Sequence, residues 1–157
     1  MNGPAIFCGV VRNGGDALLR TLQSLDRARN AFADSQCIIV TNDNNDNTDQ
    51  YLAQWSSTTN TNMVISADGL EDAFPCRIDR ICAARNMYMR EVHRAIHDEK
   101  WLYVIVLDLD GPNEKIDASW FERIEEKQLK WDALFANQDP CYYDIYALRH
   151  EQWCPSD

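Results

Sequence analysis

Continuous apolar runs, rather than alternating ones, mark the strands of this chain. Ala5 to Val11 has the composition of a strand buried on both faces, and the turn-forming cluster Asn13-Gly14-Gly15-Asp16 breaks it. Leu18, Leu19, Leu22 and Leu25 then recur at helical spacing through Asp26, with Asp16 placed to cap the start. Cys37-Ile38-Ile39-Val40 predicts a second short buried strand, which runs into a loop of Asn and Asp residues at 41–48. A helix over Thr48 to Trp55 and a strand at Met63-Val64-Ile65 follow. This rhythm of strand and helix predicts an α/β fold built of βαβ units. Its mainly parallel sheet is flanked by helices, and ligands bind beyond the carboxyl ends of the strands. The candidate loops are 12–16, 42–48 and 66–77.

The second half continues the pattern. A longer helix spans Arg77 to Asp98, and Leu102-Tyr103-Val104-Ile105-Val106-Leu107 is the most strand-like run in the sequence. It passes directly into Asp108-Leu109-Asp110-Gly111. A helix near Ala118 to Leu129 and two strand-like segments, Ala133 to Ala136 and Tyr142 to Leu148, complete the chain. On the long helix, Ile78, Ile81, Cys82, Met89, Val92 and Ile96 mark an apolar stripe with Arg85 near its centre. A guanidinium buried there needs a carboxylate, a carbonyl or a phosphate as partner.

Composition narrows the ligand. The 157 residues are 45% hydrophobic, enough for one compact domain, taken as 1–157. The formal net charge of -10 argues against nucleic acid or an anionic membrane as a partner. A phosphorylated ligand must therefore be held locally, by placed arginines, helix N-termini or a bound cation. The six cysteines, Cys8, Cys37, Cys76, Cys82, Cys141 and Cys154, show no CxxC pairing, which favours free thiols in a reducing, cytoplasmic setting. No signal peptide or transmembrane run is apparent. Walker, GxGxxG, GxSxG and HExxH motifs are all missing, and His93 and His97, though one helical turn apart, lack the rest of a zinc motif.

Asp108 and Asp110 carry the clearest chemistry. Two residues apart at a strand end, their side chains point the same way, opposite to Leu107 and Leu109. Converging carboxylates call for a hard divalent cation, Mn2+ or Mg2+, that takes its other ligands from water and a diphosphate. Asp43, directly after the second strand, is placed to accept hydrogen bonds from a base or ribose. Arg12 ends the first strand as a donor to nucleotide or to sheet carbonyls, and Arg77 and Arg80 can reach an anion from the helix start.

Taken in order, Val11-Arg12-Asn13, Thr41-Asn42-Asp43, Arg80 with Ala84-Arg85-Asn86, and Leu107-Asp108-Leu109-Asp110 resemble the GT-A glycosyltransferases, of the broad family 2-like kind. The resemblance covers residues 5–111. It implies a Rossmann-like sheet with antiparallel additions after the DxD strand and a nucleotide-sugar donor over its carboxyl edge. Asp43 would lie at the base or ribose, and Asp108 and Asp110 at the metal and diphosphate. Arg85 and Asn86 would support the donor site. A saccharide or other hydroxyl acceptor would attack the anomeric carbon with help from a carboxylate base, for which Asp144 is the candidate. Enzymes of this kind carry that base well after the DxD, so the resemblance also implies a donor-binding part of a longer enzyme. A sugar nucleotidyltransferase and a non-catalytic nucleotide-binding module remain the alternatives.

Overall fold

The computed structural model describes residues 3–97, 101, 103–126 and 132–134. The chain divides into two compact units, Met1–Lys127 and Gln128–Asp157, and the fold described below is that of the first. Its elements are β1 (Ala5–Val11), α1 (Gly15–Ala28), β2 (Ser35–Thr41), α2 (Thr48–Ser56), β3 (Asn62–Ser66), α3 (Leu70–Ala73), α4 (Arg77–His97), β4 (Tyr103–Val106) and α5 (Ala118–Glu126). A single 3-10 turn, Arg29–Ala31, follows α1.

Among the described residues all strand pairings are parallel, in the order β3-β2-β1-β4. The two central strands have the doubly buried pattern that their continuous apolar runs predict. Alternate residues feed two cores. Phe7, Val11, Cys37 and Ile39 face α1, α2 and α5, where Leu18, Leu22, Leu25, Leu52, Trp55 and Phe121 meet them. Ile6, Cys8, Ile38 and Val40 face the other layer, against Ala84, Tyr88 and Val92 of α4. Phe7, Phe32 and Phe121 pack edge to face, with ring centroids 4.9–6.0 Å apart. A fully buried side chain such as Phe7 contributes about 1.5–3 kcal/mol of transfer free energy.

Three expectations change. The α4 stripe is turned from the predicted one: Ala84, Tyr88 and Val92, at i, i+4 and i+8, meet the sheet, while Ile78 is 68% exposed and Cys82 faces solvent. The small Ala84 lets the helix approach the strands, so Arg85, one residue on, is exposed rather than buried at the centre of the stripe. Asp16 does not cap α1. Gly14 is the N-cap residue, and Asp16 lies in the first turn, where it accepts the Tyr51 hydroxyl at 2.9 Å. The antiparallel additions expected after β4 are not seen among the described residues: Ala133 and Leu134 form no strand, and 135–136 and 142–148, with Asp144, lie outside them. No helix among the described residues is long and apolar enough to cross a membrane.

Candidate functional site at the carboxyl edge of the sheet

From β1 the chain moves through β2 to β3 on one side, then crosses by α4 to β4 on the other. The strand order therefore reverses between β1 and β4, and a crevice opens at such a switch point beyond the carboxyl ends of the two strands. Val11-Arg12 lies at the carboxyl end of β1 and Asp108 to Asp110 just beyond that of β4.

The segment after β4 keeps the pleat beyond its last ladder pair. The Leu107 amide donates to the Cys8 carbonyl at 2.9 Å, and Leu107 and Leu109 are buried in the α1 and α5 layer, continuing Tyr103 and Ile105. Asp108 and Asp110 are exposed between them, as the alternation predicts. Gly9 makes this possible. A Cβ on it would lie 2.6 Å from the Leu107 carbonyl oxygen and 2.9 Å from Leu109 Cδ1, so only a bare backbone lets Leu109 fold over β1.

On the opposite face, Tyr88 links α4 to this edge. Burial pushes its hydroxyl pKa up; the neighbouring Cys8 and Asp108 act in the same direction, and the Arg85 guanidinium acts against them. Arg85 and Asp108, far apart in sequence, thus exert their charges on one phenol. Asn86, beside Arg85, is exposed.

On the β2 side of β1, the loops after β1 and β2 are locked together. The Gly14 amide donates to Thr48 Oγ1 at 2.8 Å and the Gly15 amide to Asp46 Oδ2 at 3.0 Å. Two of the amides at the start of α1, a region that binds anions in many α/β proteins, are therefore taken by the protein's own side chains. Burial opposes the Asp46 charge, but the Thr48 hydroxyl and amide and the Gly15 amide outweigh it and lower the carboxyl pKa. Asn13 and the 44–45 turn exchange two more bonds: Asn13 N to Asn44 Oδ1 at 2.8 Å and Asn45 N to Asn13 Oδ1 at 2.9 Å.

Asp43 adopts φ 46°, and its side chain builds the neighbouring wall. Its carboxylate accepts Asn42 Nδ2 at 2.9 Å, the Gly69 amide at 2.6 Å and the Glu71 amide at 2.9 Å. These donors, Asn42 first, hold its pKa below the ordinary value. Arg12 spans the same wall: Nε donates to the Asp43 carbonyl at 3.2 Å and Nη2 pairs with Glu71. Arg80 Nη1 donates to the Phe74 and Pro75 carbonyls, at 3.2 and 3.0 Å, and so fixes the start of α4. Arg77 is exposed.

The carboxylates that follow β1, β2 and β4 divide, whereas after β3 Asp72 of α3 and Asp79 of α4 are both exposed without a side-chain partner among the described residues. In the loop after β2 and the first turns of α1 and α2, Asp43, Asp46, Asp16 and Asp49 are all hydrogen-bonded. After β4, Glu114 is held by Arg20 and Asp117 by Ser119, whereas Asp108 and Asp110 have no side-chain partner among the described residues. An exposed pair of uncommitted carboxylates at a switch point suits a hard cation that completes its shell with water and phosphate oxygens. At the other end of the sheet, an open depression of about 440 Å³ is lined by Asp26, Arg29, Phe32, Ser35 and Thr61. Arg29 spends its guanidinium there on Ser35, Asn62 and Thr61, which ties the starts of β2 and β3 together.

Sequence reasoning missed Gly9, Tyr88, Thr48 and the Arg20–Glu114 pair. A glycine inside an apolar strand was the available signal for the first; the others depend on contacts between distant segments. Compared with known protein families, curated proteins and solved structures, the chain matches none.

Proposed function

We propose that this chain binds a nucleotide-sugar donor for a metal-dependent glycosyltransferase, which moves the sugar to an acceptor hydroxyl. One observation carries the proposal: Asp108 and Asp110 stand uncommitted at the β1/β4 switch point, while the carboxylates that follow β1 and β2 are hydrogen-bonded. Asp108 and Asp110 would hold Mn2+ or Mg2+, which when bound stabilises the charge of a departing diphosphate. Arg85 would bring positive charge to the donor site from α4, since its guanidinium and the Asp108 carboxylate both act on the Tyr88 phenol. Asp43 retains acceptor capacity for a base or ribose besides its three donors. The acceptor oxygen would attack the anomeric carbon as the bond from that carbon to the diphosphate breaks. Asp144, the candidate base, lies outside the described residues. The filled amides of Gly14 and Gly15 weigh against a nucleotidyltransferase that cradles phosphates at the first helix.

Thermal melting with a panel of nucleoside diphosphates and nucleotide sugars, with and without Mn2+, tests the proposal. At a hundredfold excess over Kd, one nucleotide should stabilise the protein by about 2.7 kcal/mol, or roughly 5–10 °C, in the presence of Mn2+. Asp110→Ala should abolish the response. A response without Mn2+, or one unchanged in the Asp108→Ala, Asp110→Ala double variant, would refute it. Product formation from a nucleotide sugar separates turnover from binding alone.

A further inference from the structure

The segment carrying Asp110 leaves the sheet after Leu109, whose side chain is still buried in the core, so the turn beyond it must be held by other contacts. The β1–β4 ladder ends at Val106, one further bond joins the Leu107 amide to Cys8, and residues 109–115 form turns, with Gly111 at φ 135°. Two local bonds close the turn: Asn113 Nδ2 donates to the Asp108 carbonyl at 2.8 Å and the Glu114 amide to the Gly111 carbonyl at 3.1 Å. Glu114 is then gripped from α1 at both its polar ends. Arg20 Nε and Nη2 donate to the two carboxylate oxygens at 2.8 and 2.9 Å, and the Ser24 hydroxyl donates to the Glu114 carbonyl. Arg20 and Ser24 are one helical turn apart on one face of α1, and Ser24 is buried. The helix is immobilised by Leu18, Leu22 and Leu25 in the core.

We propose that Arg20 and Ser24 are positioning residues for the Asp108–Asp110 pair, holding residues 109–116 in the turn that sets where Asp110 projects. The inference rests on the metal-pair proposal above. A bidentate guanidinium–carboxylate link fixes direction as well as distance, which a lone backbone bond does not. The Arg20 side chain is 55% exposed, so its ion pair adds little to global stability. Its effect falls on the turn. The same link holds the Glu114 carboxylate, whose Oε1 lies 3.9 Å from where a Cβ on Gly111, the residue after Asp110, would stand.

The test uses the whole chain and Mn2+ alone, followed by the electron paramagnetic resonance signal of free Mn2+. Arg20→Ala and Glu114→Gln should weaken binding about tenfold, the range seen when groups supporting a metal ligand are removed, with melting temperatures close to wild type. The exchanged pair, Arg20→Glu with Glu114→Arg, should recover most of the loss. Amide hydrogen exchange should accelerate over 108–116 in Arg20→Ala and stay unchanged in β1 and β2. Equal Mn2+ affinity in wild type and Arg20→Ala, or unchanged exchange over 108–116, would overturn the positioning role. If the wild-type chain binds no Mn2+, the metal-pair proposal itself fails and this one with it, an outcome visible before any variant is made.

Discussion

Replacing Gly9 by alanine tests how the candidate metal pair is built into the fold. The added Cβ would stand 2.6 Å from the Leu107 carbonyl oxygen and 2.9 Å from Leu109 Cδ1, both closer than real carbon contacts allow. The leucine tip can swing away, but the carbonyl belongs to the backbone that continues β4, so β4 must shift relative to β1. Overpacking of this kind costs about 1–3 kcal/mol, which for a chain of this size lowers Tm by roughly 3–10 °C. Leu109→Ala removes a side chain that is 1% exposed and should cost about 2–5 kcal/mol. In the double variant the leucine contact is already gone, so the two losses should add to less than their sum, with the carbonyl clash remaining. The assay is urea unfolding of wild type, both single variants and the double variant, with Mn2+ affinity measured alongside. Gly9→Ala should weaken Mn2+ binding as well as stability, because Asp108 and Asp110 ride on the displaced segment. A Gly9→Ala protein as stable as wild type, or losses that add fully, would refute the close approach of Leu107 and Leu109 to β1.

Two further outcomes follow from the loops. Thr48→Ala removes the acceptor of the Gly14 amide and a longer 3.4 Å contact with Gly15, and should destabilise the protein by about 1 kcal/mol in urea unfolding, as loss of a helix cap does. Asp43 and Glu114 have folded pKa values below their ordinary ones, through Asn42 and Arg20 respectively as the leading donors. Each therefore contributes stability above the unfolded carboxylate range, near pH 4, that is lost as pH falls through the lower folded value. Asp43→Asn should thus be less stable than wild type at pH 7, with the difference shrinking towards pH 3 in thermal melts.

The order of strands and helices and the placement of Asp108 and Asp110 at a strand's end could be read from the sequence, because they rest on local periodicity. Continuous apolar runs at 5–11 and 37–40 imply burial on both faces, and the leucine spacing of α1 implies a helix, without reference to any distant residue. The alternation of Leu107, Asp108, Leu109 and Asp110 is likewise local. The phase of α4 was not. Ile78, Ile81 and Cys82 are apolar enough to make a stripe, but which face meets the sheet depends on how closely Ala84 lets the helix approach Ile6 and Ile38, so Arg85 came out exposed. The capping of α1 was equally hidden. Asp16 has the right position in the sequence, yet the amides are taken by Asp46 and Thr48 from another loop. Asp43 was legible as a strand-end acid, and its engagement with the amides of Gly69 and Glu71 was not. Between residues 5 and 126 the sequence by itself thus determined the main strands and helices, but not the short α3, which lies in a stretch read as loop, and Ala133 and Leu134 form no strand. Tertiary structure decided which strand-end carboxylates are spent on the fold and which remain available, because a hydrogen bond between loops depends on strand pairing that no local spacing encodes.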